Sequence, residues 1–227
     1  MAKSLQLYDR LMQFTLFQGM GYSDLMQMVA HTKFDFIKLP PGKRVIRNGE
    51  PCRCLYFLLN GRLKTEIKSD DNSYSVTEEI DAPFVIQPER IFGIAQRYRG
   101  TVHTLSDVNF IAIDKKEVMA LSESIIVFRL NLFNIFAAQS QRLLDARWRQ
   151  CHDSLRSRIT DFIASRCQHP VGPKVMYIYM EQLAREMNDS RLDVSRALNA
   201  MQADGLVTLG RGRIVIPSLE RLTGQAT

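Results

Sequence analysis

The stretch Met180–Arg196, MEQLAREMNDSRLDVSR, constrains the fold more than any other part of the chain. Leu183, Ala184 and Met187 fall on one face of a helix, and Val194, Leu198 and Met201 on one face of a second. Asn188-Asp189-Ser190 interrupts the pattern between them. Asparagine tolerates the left-handed conformation that a sharp turn needs, and Ser190 can cap the helix that follows. Small Ala184 lets the two helices cross closely. The second helix is then left with Ser190, Arg191, Leu192, Ser195, Arg196 and Asn199 facing outward. A turn that pushes the N-terminal end of a second helix outward is what reading the major groove of DNA requires.

The following residues extend this reading. Gly205–Leu209 and Arg213–Ile216 are short β-rich runs on either side of Gly210-Arg211-Gly212, which predicts a hairpin directly behind the second helix. Such a hairpin is a wing, and Arg211 and Arg213 at its tip suit phosphate contact. The plainer alternative is a helix pair and hairpin that only pack a core. Basic side chains at both the outer helix and the turn tip weigh against it.

Composition adds less. A hydrophobic share of 45% supports real cores, and 227 residues allow one large domain or two modest ones. The net charge of +6 favours a polyanionic partner. Yet residues 1–152 carry 20 Lys+Arg against 16 Asp+Glu, and residues 153–227 carry 10 against 8. The placement of arginines, not the net charge, therefore argues for DNA. Met1–Arg10 lacks a long apolar core, and the apolar stretch Ile125–Ala138 is broken by Arg129, Asn131 and Asn134. The expectation is a cytoplasmic chain with no membrane contact and with reduced cysteines. Cys52-Arg53-Cys54 would place two thiols on one side of a strand, but no second ligand pair lies nearby to make a zinc or iron–sulfur site.

From the start of the chain, Leu5–His31 reads as short helices, with Ser23-Asp24 opening the second. From Phe34 to about Asp114, short β-rich runs alternate with turns such as Pro40-Pro41-Gly42, Asn48-Gly49 and Asn60-Gly61. Alternation is clear in Leu63–Ile67 and Val108–Ile113, which predicts a barrel or jelly-roll-like sandwich. Lys115 to about Gln150 is free of Gly and Pro and reads as one long helix. Its apolar spacing is close to a coiled-coil seam, with Ser140 and Arg147 intruding, and pairing with a twin would bury it. The other solution is a helix lying wholly on its own β domain. His152-Asp153-Ser154 reads as a hinge, with Asp153 or Ser154 capping a helix over Leu155–Arg166, and a short strand follows at Val175–Tyr179. The predicted fold class is α+β, in three parts. A β-roll (jelly roll) with N-terminal helices spans 1–114, a dimerisation helix and hinge 115–152, and a winged helix-turn-helix 153–227.

That order resembles the family of the cAMP receptor protein and the fumarate–nitrate regulators over nearly the whole chain. The resemblance rests on Leu39–Glu50, on Leu55–Lys64 and on Ser190–Arg196, the last without gaps. It implies a cyclic-nucleotide-binding-like roll and a homodimeric, non-enzymatic transcription factor on a pseudo-palindromic site in double-stranded DNA, with RNA polymerase as a further partner. Arg191, Ser195 and Arg196 match the family's base-reading positions. Leu192 stands where the family has an acidic residue, so a carboxylate contact to cytosine is absent and an apolar contact, or none, replaces it. Arg196 is the candidate for a bidentate guanine contact.

Cyclic-nucleotide members hold the phosphate with a Gly-Glu pair and, about ten residues on, an Arg followed by a hydroxyl residue. Glu89 and Arg99 stand at that spacing, but Pro88 replaces the glycine and removes a backbone donor, and Gly100 replaces the hydroxyl. Adenine-gripping members carry neighbouring hydroxyls on the long helix, where Arg142 and Leu143 stand here. Leu143 cannot hydrogen-bond a purine amine, and Arg142 has donors only. Glu89, Arg99, Arg142 and Leu143 thus outline an effector pocket, and three departures argue against cAMP. The plainer reading of Glu89 and Arg99 is a surface ion pair on a vestigial pocket. Residues 1–51 contain no cysteine, against an iron–sulfur oxygen sensor. Nothing singles out His31, His103, His152 or His169 as a haem ligand, and thiol oxidation at Cys52, Cys54 or Cys151 is an open alternative. The competing functional reading is a ligand-binding or docking module whose winged helix contacts a protein. No P-loop, Rossmann or hydrolase motif points to an enzyme.

Overall fold

A computed structural model describes residues 8–148 and 154–224. The chain divides into two compact units. The first comprises Met1–Arg62, Asp81–Arg99 and Thr104–Arg149, and the second comprises Leu63–Ile80, Gly100–His103 and Gln150–Thr227.

The first unit is built on a sheet in the order β1-β8-β3-β6, with β1 Asp35–Leu39, β8 Val108–Asp114, β3 Cys54–Asn60 and β6 Phe84–Val85. β8 shows alternation in sequence, yet Phe110–Ile113 are all buried. A central strand covered on both faces loses the half-exposed pattern that its residues suggest. Phe17, Phe57, Phe110 and Phe128 anchor this core, with Phe14 edge-on to Phe57 at 5.2 Å and Phe17 against Phe128 at 5.7 Å. Helix α1, Tyr22–His31, starts one residue earlier than Ser23 and is capped from Gly21, whose N–H donates to Asp24. The expected helical residues Leu5–Leu7 lie outside the described residues.

The single helix expected from Lys115 is two: α2, Lys115–Ser124, and α3, Ile126–Trp148. Ile125 between them is extended (φ −123°, ψ 104°) and buried. No Gly or Pro marks this break. Val118, Leu121, Ile125 and Phe128 are all buried, and their spacing of three, four and three would equally suit one face of an unbroken helix, so the hydrophobic pattern gives no sign of the break. Among the described residues no single helix is long and apolar enough to cross a membrane, and the pair α2 and α3 is bent by 117°.

α3 has two apolar faces. Phe128 and Leu132 are buried, whereas Ile126, Leu130, Phe133 and Leu144 are 52–60% exposed. With Ala137 and Ser140, also exposed, the outward residues recur at alternating spacings of four and three. That spacing is the one a left-handed coiled coil uses. Arg149, Gln150 and the hinge residues Cys151, His152 and Asp153 lie outside the described residues.

In the second unit the sheet runs β10-β11-β9-β5-β4-β7. Its strands are β4 Arg62–Lys68, β5 Ser75–Asp81, β7 Thr101–Thr104, β9 Lys174–Tyr177, β10 Thr208–Gly210 and β11 Arg213–Ile216. The helices are α4 Leu155–Ser165, α5 Met180–Met187, α6 Arg191–Ala203 and α7 Leu219–Leu222. Ser154 caps α4 by accepting from the Ser157 N–H at 3.1 Å. Ile159, Ile163, Met176, Leu183, Val194, Leu198, Met201 and Ile216 fill the core, and Val76 of β5 is part of it.

Candidate nucleic-acid interface and effector pocket

α5 ends at Asn188, whose φ of 49° is the left-handed turn expected of it. Ser190 caps α6, accepting from the Asp193 N–H at 3.1 Å and donating to the Asp193 carboxylate at 2.6 Å. Leu183, Ala184 and Met187 of α5 and Val194, Leu198 and Met201 of α6 are buried, as their periodicity predicts. The turn is also held from α4. Arg158 donates to the Met187 carbonyl at 2.8 Å and to the Asp189 carboxylate at 2.5 Å. Sequence reading missed Arg158, because nothing local marks a side chain that reaches another helix.

The outer face of α6 is open. Arg191 and Arg196 are each 70% exposed and Leu192 is 59% exposed. Ser195 is half-buried, and Asn199 lies beside it with its amide 3.5 Å from the Ser195 hydroxyl. Arg196 rests 3.4 Å from Asp193 and Arg191 3.9 Å from Glu181. These exposed pairs are weak and can be exchanged for a phosphate or a base edge. The wing is in place behind them: Gly210 pairs with Arg213, and Arg211 and Arg213 are exposed at its tip. Gly212 (φ +68°) lies against the Tyr179 ring, where a Cβ would come within 3.1 Å of it. A cleft of about 330 Å³ lies between the start of α5, α6 and the wing, lined by Tyr179, Glu181, Arg191, Leu198, Leu209 and Arg213. Tyr179 and Glu181 were not legible as members of this surface.

The effector-pocket residues are not drawn into one cluster. Glu89 sits in a 3₁₀ turn, Pro88–Arg90, with its carboxylate 3.5 Å from Arg90 and 3.4 Å from the Gln139 amide of α3. The contact from α3 to Glu89 thus comes from Gln139, whereas Arg142 and Leu143 are exposed, Leu143 by 72%. Gln87, to which the sequence assigns no role, is buried at φ +41°, and its amide grips the backbone of Arg99. The Gln87 side chain accepts from the Arg99 N–H at 2.8 Å and donates to the Arg99 carbonyl at 2.5 Å.

Gly100 has a steric reason. At φ +96° an added Cβ would lie 2.7 Å from the Glu66 carbonyl oxygen and 2.8 Å from Ile67. A hydroxyl residue therefore does not fit where a phosphate-binding pocket needs one. Gly100→Ser is expected to cost about 1–3 kcal/mol of stability in chemical denaturation and to confer no cAMP binding in calorimetry. Unchanged stability with new cAMP affinity would overturn this account.

Cys52 precedes β3 rather than lying in it, so the two thiols do not share a strand face; its Sγ points 3.8 Å from the Cys54 carbonyl oxygen. Burial pushes the Cys52 and Cys54 thiols above their ordinary pKa, and Cys167 up to about 12. Raised values leave little thiolate at neutral pH, which disfavours redox sensing at these three.

Residues 36–124 match the cyclic nucleotide-binding domain family, and residues 157–224 match the Crp-like helix-turn-helix domain. No curated protein matches the sequence. Among solved structures, the chain is similar to the catabolite activator protein of Thermus thermophilus, at 18% identity and a TM-score of 0.51, covering 94% of this chain and 100% of that one. It is similar to a crp/fnr-family regulator from Eubacterium rectale at 20% identity and a TM-score of 0.52, covering 93% and 98%. It also resembles the sensor domain of the regulator DNR from Pseudomonas aeruginosa at 19% identity and a TM-score of 0.54, covering 68% and 100%. At these identities the likeness speaks for the fold; the two matched domains, in this order, speak for the lineage. The chain belongs to the Crp/Fnr family of DNA-binding transcription regulators.

Proposed function

We propose that the protein works as a homodimer that reads a pseudo-palindromic site in double-stranded DNA. The exposed face of α6 carries this reading: Arg191, Leu192, Arg196 and Asn199 stand open to solvent, with half-buried Ser195 among them. Two copies joined along the α3 seam would set two such helices into successive major grooves, about 34 Å apart. Arg196 would contact a guanine, and Arg191, Arg211 and Arg213 would contact phosphates or neighbouring bases. RNA polymerase is the further partner and the cytoplasm the compartment; the reading assigns no catalysis.

The effector is not cAMP in this reading. Pro88 gives no N–H, Gly100 has no room for a hydroxyl, and Gln87 already occupies the Arg99 backbone donor. Glu89 and Arg99 remain the positions at which another effector would act, with Gln139 rather than Arg142 or Leu143 reaching Glu89 from α3.

Selection of bound duplexes from a random pool, at about 0.15 M salt where weak nonspecific attraction is screened, tests the function. A two-fold-symmetric motif is expected. Arg196→Ala is then expected to lose about 1–3 kcal/mol of discrimination at one base of each half-site. Unchanged affinity would mean that α6 does not read the site. Leu192, apolar and 59% exposed, is the one observation that favours a protein partner instead. That second reading predicts no selected motif and loss of a protein complex on Leu192→Glu.

A further inference from the structure

We propose that Glu78 and Lys174 are positioning residues for DNA reading: they fasten strand β5 onto the winged helix and so hold α6 in its DNA-competent setting. The proposal rests on the DNA-reading function above.

β9 leads into α5 through only Ile178 and Tyr179, so its position fixes where the helix pair begins. On one side β9 pairs with β11, with Ile214 opposite Met176. On the other it pairs antiparallel with β5: Ser75 opposite Tyr177, Val76 opposite Met176, Thr77 opposite Val175 and Glu78 opposite Lys174. A strand from the middle of the roll sequence thus completes the sheet of the winged helix.

The last pair is an ion pair, and it is buried. The Glu78 and Lys174 side chains are 1% and 0% exposed, with 3.4 Å between Nζ and Oε2. Glu78 also accepts the backbone N–H of Gln168 at 2.6 Å and of His169 at 2.9 Å, and Lys174 donates to the Val171 carbonyl at 2.8 Å. One carboxylate from β5 therefore organises both β9 and the loop ahead of it. A buried pair of this kind gains little over apolar packing, but removing one partner strands a charge, so its usual value is in fixing one arrangement. A second grip lies at the start of β5. Tyr74 packs on Phe162 at 5.5 Å, and Arg166 donates to the Tyr74 hydroxyl at 2.8 Å with its guanidinium 3.6 Å above the Phe162 ring. With this latch formed, Arg191 and Arg196 are open to solvent, so the latched arrangement leaves the reading face free.

The test uses the full chain with Ser75→Cys and Tyr177→Cys, which stand opposite each other in register. Mild oxidation is expected to join them, with peptide mapping separating this bond from any involving the natural cysteines. The oxidised protein is expected to bind its selected duplex within about twofold of wild type. Glu78→Gln that stays folded by near-ultraviolet circular dichroism without the crosslink is expected to lose about tenfold in affinity, and the crosslink to restore it; a role in folding alone would leave the affinity of the folded variant unchanged. Failure of the bond to form, loss of binding on oxidation, full affinity of a folded Glu78→Gln, or no rescue would each overturn the proposal. If Glu78→Gln does not fold by near-ultraviolet circular dichroism, binding by the oxidised and reduced crosslink variant still decides. A wild-type chain that selects no duplex would overturn the DNA reading itself, before any variant is compared.

Discussion

Replacing Leu130 and Phe133 together by glutamate is expected to give a folded monomer whose operator affinity is lower by about 10²–10⁴-fold. Both side chains lie on the outward face of α3, at 52% and 57% exposure, while Phe128 and Leu132 on the opposite face are buried. The substitution therefore leaves the core of the first unit intact. In a paired seam it would set four carboxylates against apolar partners, a cost that the pairing energy does not cover. Losing the second reading head turns a two-point attachment into a one-point attachment, and linked sites commonly gain that factor from effective concentration alone. Sedimentation equilibrium reads the mass and a titration of the selected duplex reads the affinity. A double variant that still sediments as a dimer would show that the seam lies elsewhere.

Leu198→Ala is expected to destabilise the winged helix by about 2–5 kcal/mol, the range for a buried leucine whose cavity cannot close. Leu198 is fully buried in α6, in the same core as Leu183, Val194 and Ile214. The core lies between α5, α6 and β11, so the cavity opens directly beneath the reading face. Chemical denaturation should show an early transition and loss of operator binding at temperatures the wild type tolerates. Asn199→Ala, one position along and exposed, serves as the control and should fall within about 0.5 kcal/mol in stability. A Leu198→Ala protein as stable as that control would contradict the packing.

These two substitutions also show which parts of the structure the sequence could disclose. The helix-turn-helix was legible because its signals are local: the spacing of Leu183, Met187, Val194 and Leu198, the left-handed asparagine and the serine cap all lie within one short stretch. The exposed apolar stripe on α3, with Ser140 within it, was legible for the same reason. The break at Ile125 was not, since no Gly or Pro marks it and the apolar spacing runs through it unchanged. Cys52-Arg53-Cys54 would have paired its thiols on one side only as a strand, and the strand begins at Cys54. Hidden most fully was everything that depends on residues distant in sequence meeting in space. The Gln87 grip on Arg99, the reach of Arg158 to the turn and the Glu78–Lys174 pair leave no periodic trace. In the candidate effector pocket, Pro88 and Gly100 were readable as departures from a pattern, but the steric cause at Gly100 needed the Glu66 carbonyl beside it.

The borrowed strand has a consequence for how such a regulator can be taken apart. A fragment beginning at Ser154 would keep β9, β10 and β11 but not β5. One margin of β9 would then present bare N–H and C=O groups, and Lys174 would lose its carboxylate partner. Bare margins recruit strands from other copies, so the excised piece is a candidate for aggregation or exchange rather than a portable reading head. Grafting it onto a different sensor would require the new host to supply a strand with an acidic residue at the matching register. Evolutionary shuffling of this half would meet the same requirement, so the hairpin and the head would have to travel together.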